Sequence, residues 1–422
     1  MIKKILSNTE LLLVSFSQIS QLFGAVLFTK LLTVYLTKDS YGYYSLSMSL
    51  VAIITMLPYK ALNEGLGRFI SIYNEEEKLP ELLSNIGILY FLFYIPYLLI
   101  SFVAYFYIDN DWKEILVVLN FYVFFEIFKV TAKKIENNIR NRKFVAKTTI
   151  IELVIKITLT FIIAKSFTLK VATIFEILLI SNVVVVVWSY LKRKNYYKFI
   201  YIKKGNSIKL LRRLTSFSWP LLVWSIFGWF LTMANRWLLD FFLDKEAVAD
   251  FSLTSSIALL PSTAVAGILG AFLLPIIYEK ANTDIYYPWK IIKKTIFFQV
   301  IFYLVLIAVF IFLGAFIIEV LSSEKYVNSA WMLPYLIVGS GCFAIGQVLT
   351  YEIFALKETK QLLMSTIIPG IWSVFAGYFL IKYFGIKGAV INFTSTYLIY
   401  LLLTIFTTLK FHLQLLAKKI IK

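Results

Sequence analysis

Several apolar runs of this chain, each long enough to cross a membrane, carry charged side chains. Those charges define the chemistry available to it. Lys30 stands alone in "TKLLTVYL"; Arg236 and Asp240 lie four apart in "NRWLLDFFL". Glu126 and Lys129 are spaced i,i+3, and Glu152 and Lys156 i,i+4. A charge at a bilayer centre costs about 2.5–3.5 kcal/mol on insertion scales, so each needs a partner or a task. The cations Lys30, Lys156 and Arg236 suit an anion, and the planar guanidinium fork matches phosphate best. Polar neighbours run with them. Gln18, Gln21, Thr29 and Thr33 accompany Lys30, while Ser225, Thr232 and Asn235 accompany Arg236. The carboxylates Glu126, Glu152 and Asp240 are the candidates to carry a proton or couple to an ion. A plainer reading stays open. The three acid–base pairs at helical spacing can simply neutralise each other, and Lys30, near a span end, can snorkel to the interface.

The elements that must hold these residues are helices crossing a bilayer. Hydrophobic residues make up 60% of the 422 and charged residues only 16%, with a mean hydropathy of +0.79. A soluble domain has about 45–50% apolar and about 25% charged residues, so this is a polytopic membrane protein. A window of about 20 residues predicts about twelve spans: 11–36, 42–63, 83–107, 114–132, 146–164, 171–191, 216–242, 248–275, 295–320, 330–354, 362–381 and 388–409. The fold class is all-α, with two pseudo-symmetric six-helix bundles at 1–191 and 216–422, joined by a basic cytoplasmic linker at 192–215.

Two short echoes support a duplication. "LTKDSYGYYSL" (Leu36–Leu46) and "LDKEAVADFSL" (Leu243–Leu253) share one frame and follow the first span of each half. "ENNIRNRKFVAKTTI" from Glu136 and "EIFALKETKQLLMSTI" from Glu352 follow the fourth span of each half. An even number of spans separates the copies, so the two halves run parallel. Arg236 then occupies the place of Lys30 in the second half. Such duplicated cations would face each other across a pseudo-twofold axis.

Lys and Arg concentrate in the N-terminus, the tail and the loops after even-numbered spans. The opposite loops hold few bases, among them Lys38, Lys113, Lys165 and Lys170. Both termini are therefore expected in the cytoplasm. This asymmetry accounts for the net charge of +18 without nucleic acid as a partner. Cys342 is the single cysteine, which excludes a disulfide and a thiolate metal site. His412, the single histidine, lies near the basic tail, so neither a histidine metal site nor a histidine proton relay is expected. No G-x-x-x-x-G-K-[ST] motif cradles a nucleotide, no cofactor is implied, and no loop is long enough for a catalytic domain; an enzyme is not expected. The basic start and apolar stretch at 1–28 lack a small-x-small cleavage site and read as a retained first span.

Four segments carry a resemblance: "TKLLTVYL" leading into "TKDSYGYYSL", "NRWLLDFFLDKEAVADFSL", "ILGAFLLPIIYEKA" and "YFGIKGAVINFTSTYL". In these the chain resembles the Wzx-type O-antigen and polysaccharide flippases, in the superfamily that also holds MATE exporters and lipid II flippases. The resemblance covers nearly the whole chain. It implies a cationic central cavity and alternating access that moves undecaprenyl-pyrophosphate-linked oligosaccharide repeat units from the cytoplasmic to the periplasmic leaflet of a bacterial inner membrane. Lys30 and Arg236 match its cavity cations by position, and Tyr43, Tyr44, Trp224 and Trp229 would stack on sugars. Membrane lipids, a polysaccharide polymerase and a chain-length regulator are the implied partners. Where the family often has an acid before the arginine, this chain has Asn235. A MATE-like ion-coupled drug antiporter is the alternative. It needs buried acids without bases beside them, whereas most acids here adjoin Lys or Arg.

Overall fold

The computed structural model describes residues 9–76, 78–194, 204–281, 287–356 and 358–420, and among these there is no strand. The helices are α1 (Thr9–Tyr35), α2 (Lys38–Ile54), α3 (Ala61–Glu75), α4 (Leu79–Tyr105), α5 (Asn110–Asn138), α6 (Arg142–Ser166), α7 (Val171–Lys192), α8 (Lys204–Phe242), α9 (Lys245–Ala281), α10 (Tyr287–Leu321), α11 (Leu333–Ala355) and α12 (Leu363–Ile420). Eight helical segments among the described residues are long and apolar enough to cross a membrane. The segment Lys360–Leu415 is folded in two at Gly385. The helices α1, α6 and α8 fall on the predicted windows 11–36, 146–164 and 216–242. Lipid-facing surfaces are apolar to a degree water would not tolerate: Phe91, Ile100 and Phe102 on α4 and Phe297, Leu304 and Phe312 on α10 are all exposed.

The chain divides into two compact units, Met1–Ile226 and Phe227–Lys422. The division falls inside α8, which begins at Lys204, upstream of the start at 216 expected from hydropathy. The middle of the basic segment 192–215 lies outside the described residues.

Within the first unit α5 packs on α7 and α6 on α1. At the α1–α6 crossing a Cβ on Gly24 would stand 2.7 Å from Leu153 Cδ2, so a larger residue there would make the leucine side chain shift. One break was not anticipated. The second span, expected to run straight through 42–63, is interrupted at Thr55–Lys60, where Leu57 leaves helical geometry (φ −116°, ψ 112°) ahead of Pro58. Proline removes a helical donor and clashes with the preceding turn. Beyond the break, α3 buries Leu62, Leu66 and Ile70, four apart, on one face.

Within the second unit α11 packs on α9, α10 and α12. Gly385 adopts φ +56°, ψ −136°, a region open only to glycine. Three residues on, a Cβ at Gly388 would lie 2.0 Å from the Leu380 carbonyl oxygen. The "YFGIKGAV" segment is thus a tight reversal between two spans, and both glycines are required by geometry.

The recurring hairpin has a local physical cause. In the first copy the Thr37 hydroxyl accepts from Ser40 N at 3.1 Å, capping α2. In the second, Asp244 Oδ1 accepts from Ala247 N at 2.7 Å, at the start of α9. The acids Asp39 and Glu246 follow in the first turns, where the helix dipole favours them. Thr37→Ala and Asp244→Ala are each expected to lower stability by about 1 kcal/mol, read as a fall in the thermal midpoint of the detergent-purified protein.

Candidate functional site

The charges of α5 and α6 meet in the middle of the first unit. Glu126, Lys129 and Lys133 recur at i, i+3, i+7 on α5, and Thr149, Glu152 and Lys156 recur likewise on α6, so each set lies on one helical face. Lys129 Nζ sits 2.7 Å from Glu126 Oε2 and 3.0 Å from Glu152 Oε1, bridging the two helices. Lys133 Nζ takes the other oxygen, Glu152 Oε2, at 2.7 Å and also donates to Thr149 Oγ1 at 3.2 Å. From α7, Asn182 Nδ2 donates to Glu126 Oε2 at 2.8 Å. The Lys129 side chain is 9% exposed. In so dry a place an ion pair is maintained only because its oxygens and protons are almost all used.

The expected Glu126–Lys129 pair is therefore present, while the expected Glu152–Lys156 pair is replaced. Both Glu152 oxygens face bases of α5. Lys156 instead places Nζ 4.9 Å from the centroid of the Phe28 ring on α1, a cation–π contact one turn along from the Gly24–Leu153 crossing. The cluster holds two carboxylates and three ammonium groups, a net surplus of one positive charge at mid-span. Lys156 carries that surplus.

The remaining expected site residues are spread more widely. Lys30 is half-buried on α1 of the first unit, and its carbonyl accepts from Thr33 Oγ1 at 3.0 Å. Gln18 and Gln21 are exposed on the same helix. Asn235, Arg236 and Asp240 lie on α8 in the second unit. Asn235 is buried, and its Oδ1 accepts from Asn392 Nδ2 at 2.7 Å; that amide also reaches the Ser373 carbonyl at 2.8 Å. Arg236 is half-buried. Asp240 pairs with Lys245, from the first turn of α9. Of the proposed stacking aromatics, Tyr43 packs edge-on against Trp112, Tyr44 lies against Phe175 and Trp229 is buried beside Phe230, whereas Trp224 is exposed.

Two polar features escaped the sequence reading. One is a buried knot in the first unit: Tyr90 Oη donates to Asn63 Oδ1 at 2.9 Å, and Thr131 Oγ1 lies 3.1 Å from both groups. The other corrects the view that His412 belongs to the basic tail. His412 Nδ1 is 2.9 Å from Glu352 Oε1, and Glu352 is fully buried. The sequence hides this contact because the two residues lie 60 positions apart.

An all-helical chain whose described residues hold eight helices long and apolar enough to cross a membrane is a polytopic membrane fold. The structural comparisons agree. The chain is similar to the lipid II flippase MurJ in its inward closed conformation, with TM-score 0.70 and 19% identity over 94% of this chain and 86% of that one. It is similar to an inward-facing multidrug resistance MATE family transporter of the MOP superfamily, with TM-score 0.69 and 17% identity over 94% and 95%. A point mutant of the Vibrio cholerae MATE transporter VcmN aligns with TM-score 0.59 and 15% identity over 96% and 98%. No curated protein matches the sequence. The family model described as "Polysaccharide biosynthesis protein" matches residues 7–280; the chain belongs to that family.

Proposed function

We propose that this protein is a flippase that moves undecaprenyl-pyrophosphate-linked oligosaccharide repeat units from the cytoplasmic to the periplasmic leaflet of a bacterial inner membrane, for O-antigen or another surface polysaccharide. It works by alternating access through a cationic cavity. The observation that carries this reading is the buried amine of Lys156 at mid-span, whose neighbouring Glu152 oxygens are already bonded to Lys129 and Lys133. A pyrophosphate is a multivalent anion that cannot enter hydrocarbon unaided. Fixed cations replace part of its hydration while the lipid tail stays in the bilayer. Membership of the polysaccharide biosynthesis family supports the sugar-linked cargo.

In this reading Lys30, Lys156 and Arg236 contact the phosphates, and Asn235, Gln18 and Gln21 offer hydrogen bonds to phosphate or sugar. Asp240, Glu152 and Glu126 are the acids available for ion coupling. Both termini face the cytoplasm, and the polymerase and chain-length regulator of the same pathway act on the product. The test is the sidedness of the repeat unit in cells lacking the gene, probed in spheroplasts with a membrane-impermeant sugar label. Label should appear only when the gene is restored, and Arg236→Ala should fail to restore it while inserting normally. Unchanged sidedness on restoration would overturn the reading and make drug efflux the function to test.

A further inference from the structure

Each unit closes one end of its bundle with a buried glutamate held by a cation from the last span of that unit. In the first, Glu136 at the end of α5 has a side chain 2% exposed, and Arg193 Nε, just past α7, donates to its Oε1 at 3.1 Å. Its Oε2 accepts from Asn141 Nδ2 in the turn that follows α5. In the second, Glu352 at the end of α11 is held by His412 of α12 at 2.9 Å. The backbone frames agree as well. Asn141 N bonds to the Glu136 carbonyl at 2.8 Å and Glu358 N to the Ile353 carbonyl at 3.1 Å, the same six-residue closure after each helix.

The cations differ in kind. A guanidinium is charged at every accessible pH, whereas histidine is the side chain whose ordinary range crosses neutrality. We propose that Glu352 and His412 form a proton-binding site that locks its end of the second unit when loaded and loosens it when empty, while the Glu136–Arg193 clamp of the first unit stays shut throughout. With the imidazole charged, the buried carboxylate has a counter-charge. When the proton leaves, Glu352 keeps at most a neutral hydrogen bond, and its Oε2 is buried with no hydrogen-bond partner among the described residues. An ionised carboxylate in that state is strongly disfavoured, so α12 parts from α11 more readily. At this end of the joint Ile353, Leu362 and Phe411 form the buried core, with Phe354, Leu356 and Leu415 packed against it.

The described charged side chains of the packed elements lie at the surface. Lys280 on α9, and Lys290, Lys293 and Lys294 on α10, are exposed. Glu358 and Lys360 in the turn before α12, and Lys410 on α12, are exposed too. Trp289 on α10 supplies a built-in reporter. The His412 ring stacks on it with centroids 4.8 Å apart and planes 25° apart. A protonated imidazole in such contact quenches indole emission by electron transfer, and a neutral one does so far less.

The experiment takes the full-length protein in lipid nanodiscs. The emission of Trp289, obtained as the difference between wild type and Trp289→Phe, is followed from about pH 5 to about pH 9. A single-proton rise of several-fold is expected, lost in His412→Gln. In wild type the thermal midpoint should fall as the emission rises, and in His412→Arg, which copies the clamp of the first unit, that component of the pH dependence should be absent. A Trp289 signal that is flat in the wild-type protein, or a step that persists in His412→Gln, would overturn the proposal. Should His412→Gln fail to fold, the wild-type titration and His412→Arg still decide. Neither readout involves transport, so the outcome is separate from the flippase reading.

Discussion

Replacing Lys129 by methionine is expected to destabilise the protein by about 3–5 kcal/mol, the range seen when one partner of a buried ion pair is removed. Among the described residues this ammonium is the only group that touches both carboxylates of the mid-span cluster, at 2.7 Å and 3.0 Å. Without it Glu126 keeps only neutral partners, the Asn182 amide and the Tyr122 hydroxyl, and Glu152 keeps Lys133. Methionine keeps the volume of the lysine stem, so the loss reads the charge and not a cavity. The measurement is the thermal or denaturant midpoint of the detergent-purified variant beside wild type. A second variant isolates the cause. In Lys129→Met/Glu126→Gln the orphaned charge is gone, and a large part of the stability should return. If the double variant is as unstable as the single, the cluster is held by packing, and its charges do not matter to the fold.

The contrast between that cluster and its reading from spacing shows where sequence patterns stop. Helical spacing correctly pairs Glu126 with Lys129, because both lie on one turn of one helix. The same rule paired Glu152 with Lys156 and failed, because two bases of α5 reach Glu152 across the α5–α6 interface. Which face of α6 meets α5 is decided by packing, including the Gly24–Leu153 approach on the other side, and no window along the chain contains that information. Span positions, by contrast, follow from hydropathy because the bilayer acts on each segment separately. The repeated hairpin was visible for the same local reason: a cap and an acid within one turn. Pro58 was visible as well, yet the window averaged over it. His412 and Glu352 lie 60 residues apart, and only the close packing of α11 on α12 joins them.

Lys156→Ala is expected to reduce repeat-unit translocation by on the order of 100-fold, equivalent to about 2.7 kcal/mol, with little change in thermal midpoint. The two halves of this expectation have different causes. Stability is spared because Lys156 supplies no ion pair to Glu152. Its contact is the Phe28 ring at 4.9 Å, and a cation–π contact contributes roughly 0.5–2 kcal/mol, offset by relief of a desolvated surplus charge. Transport suffers because the surplus charge is what an anionic headgroup would meet at mid-span. Lys156→Arg, which keeps the charge and its fit to phosphate, should retain most activity, and Lys156→Gln should behave like alanine. The assay is the impermeant-label measurement of sidedness in cells carrying each variant at matched membrane levels. Full activity in Lys156→Ala would remove this residue from the substrate path and reduce the cluster to a structural role.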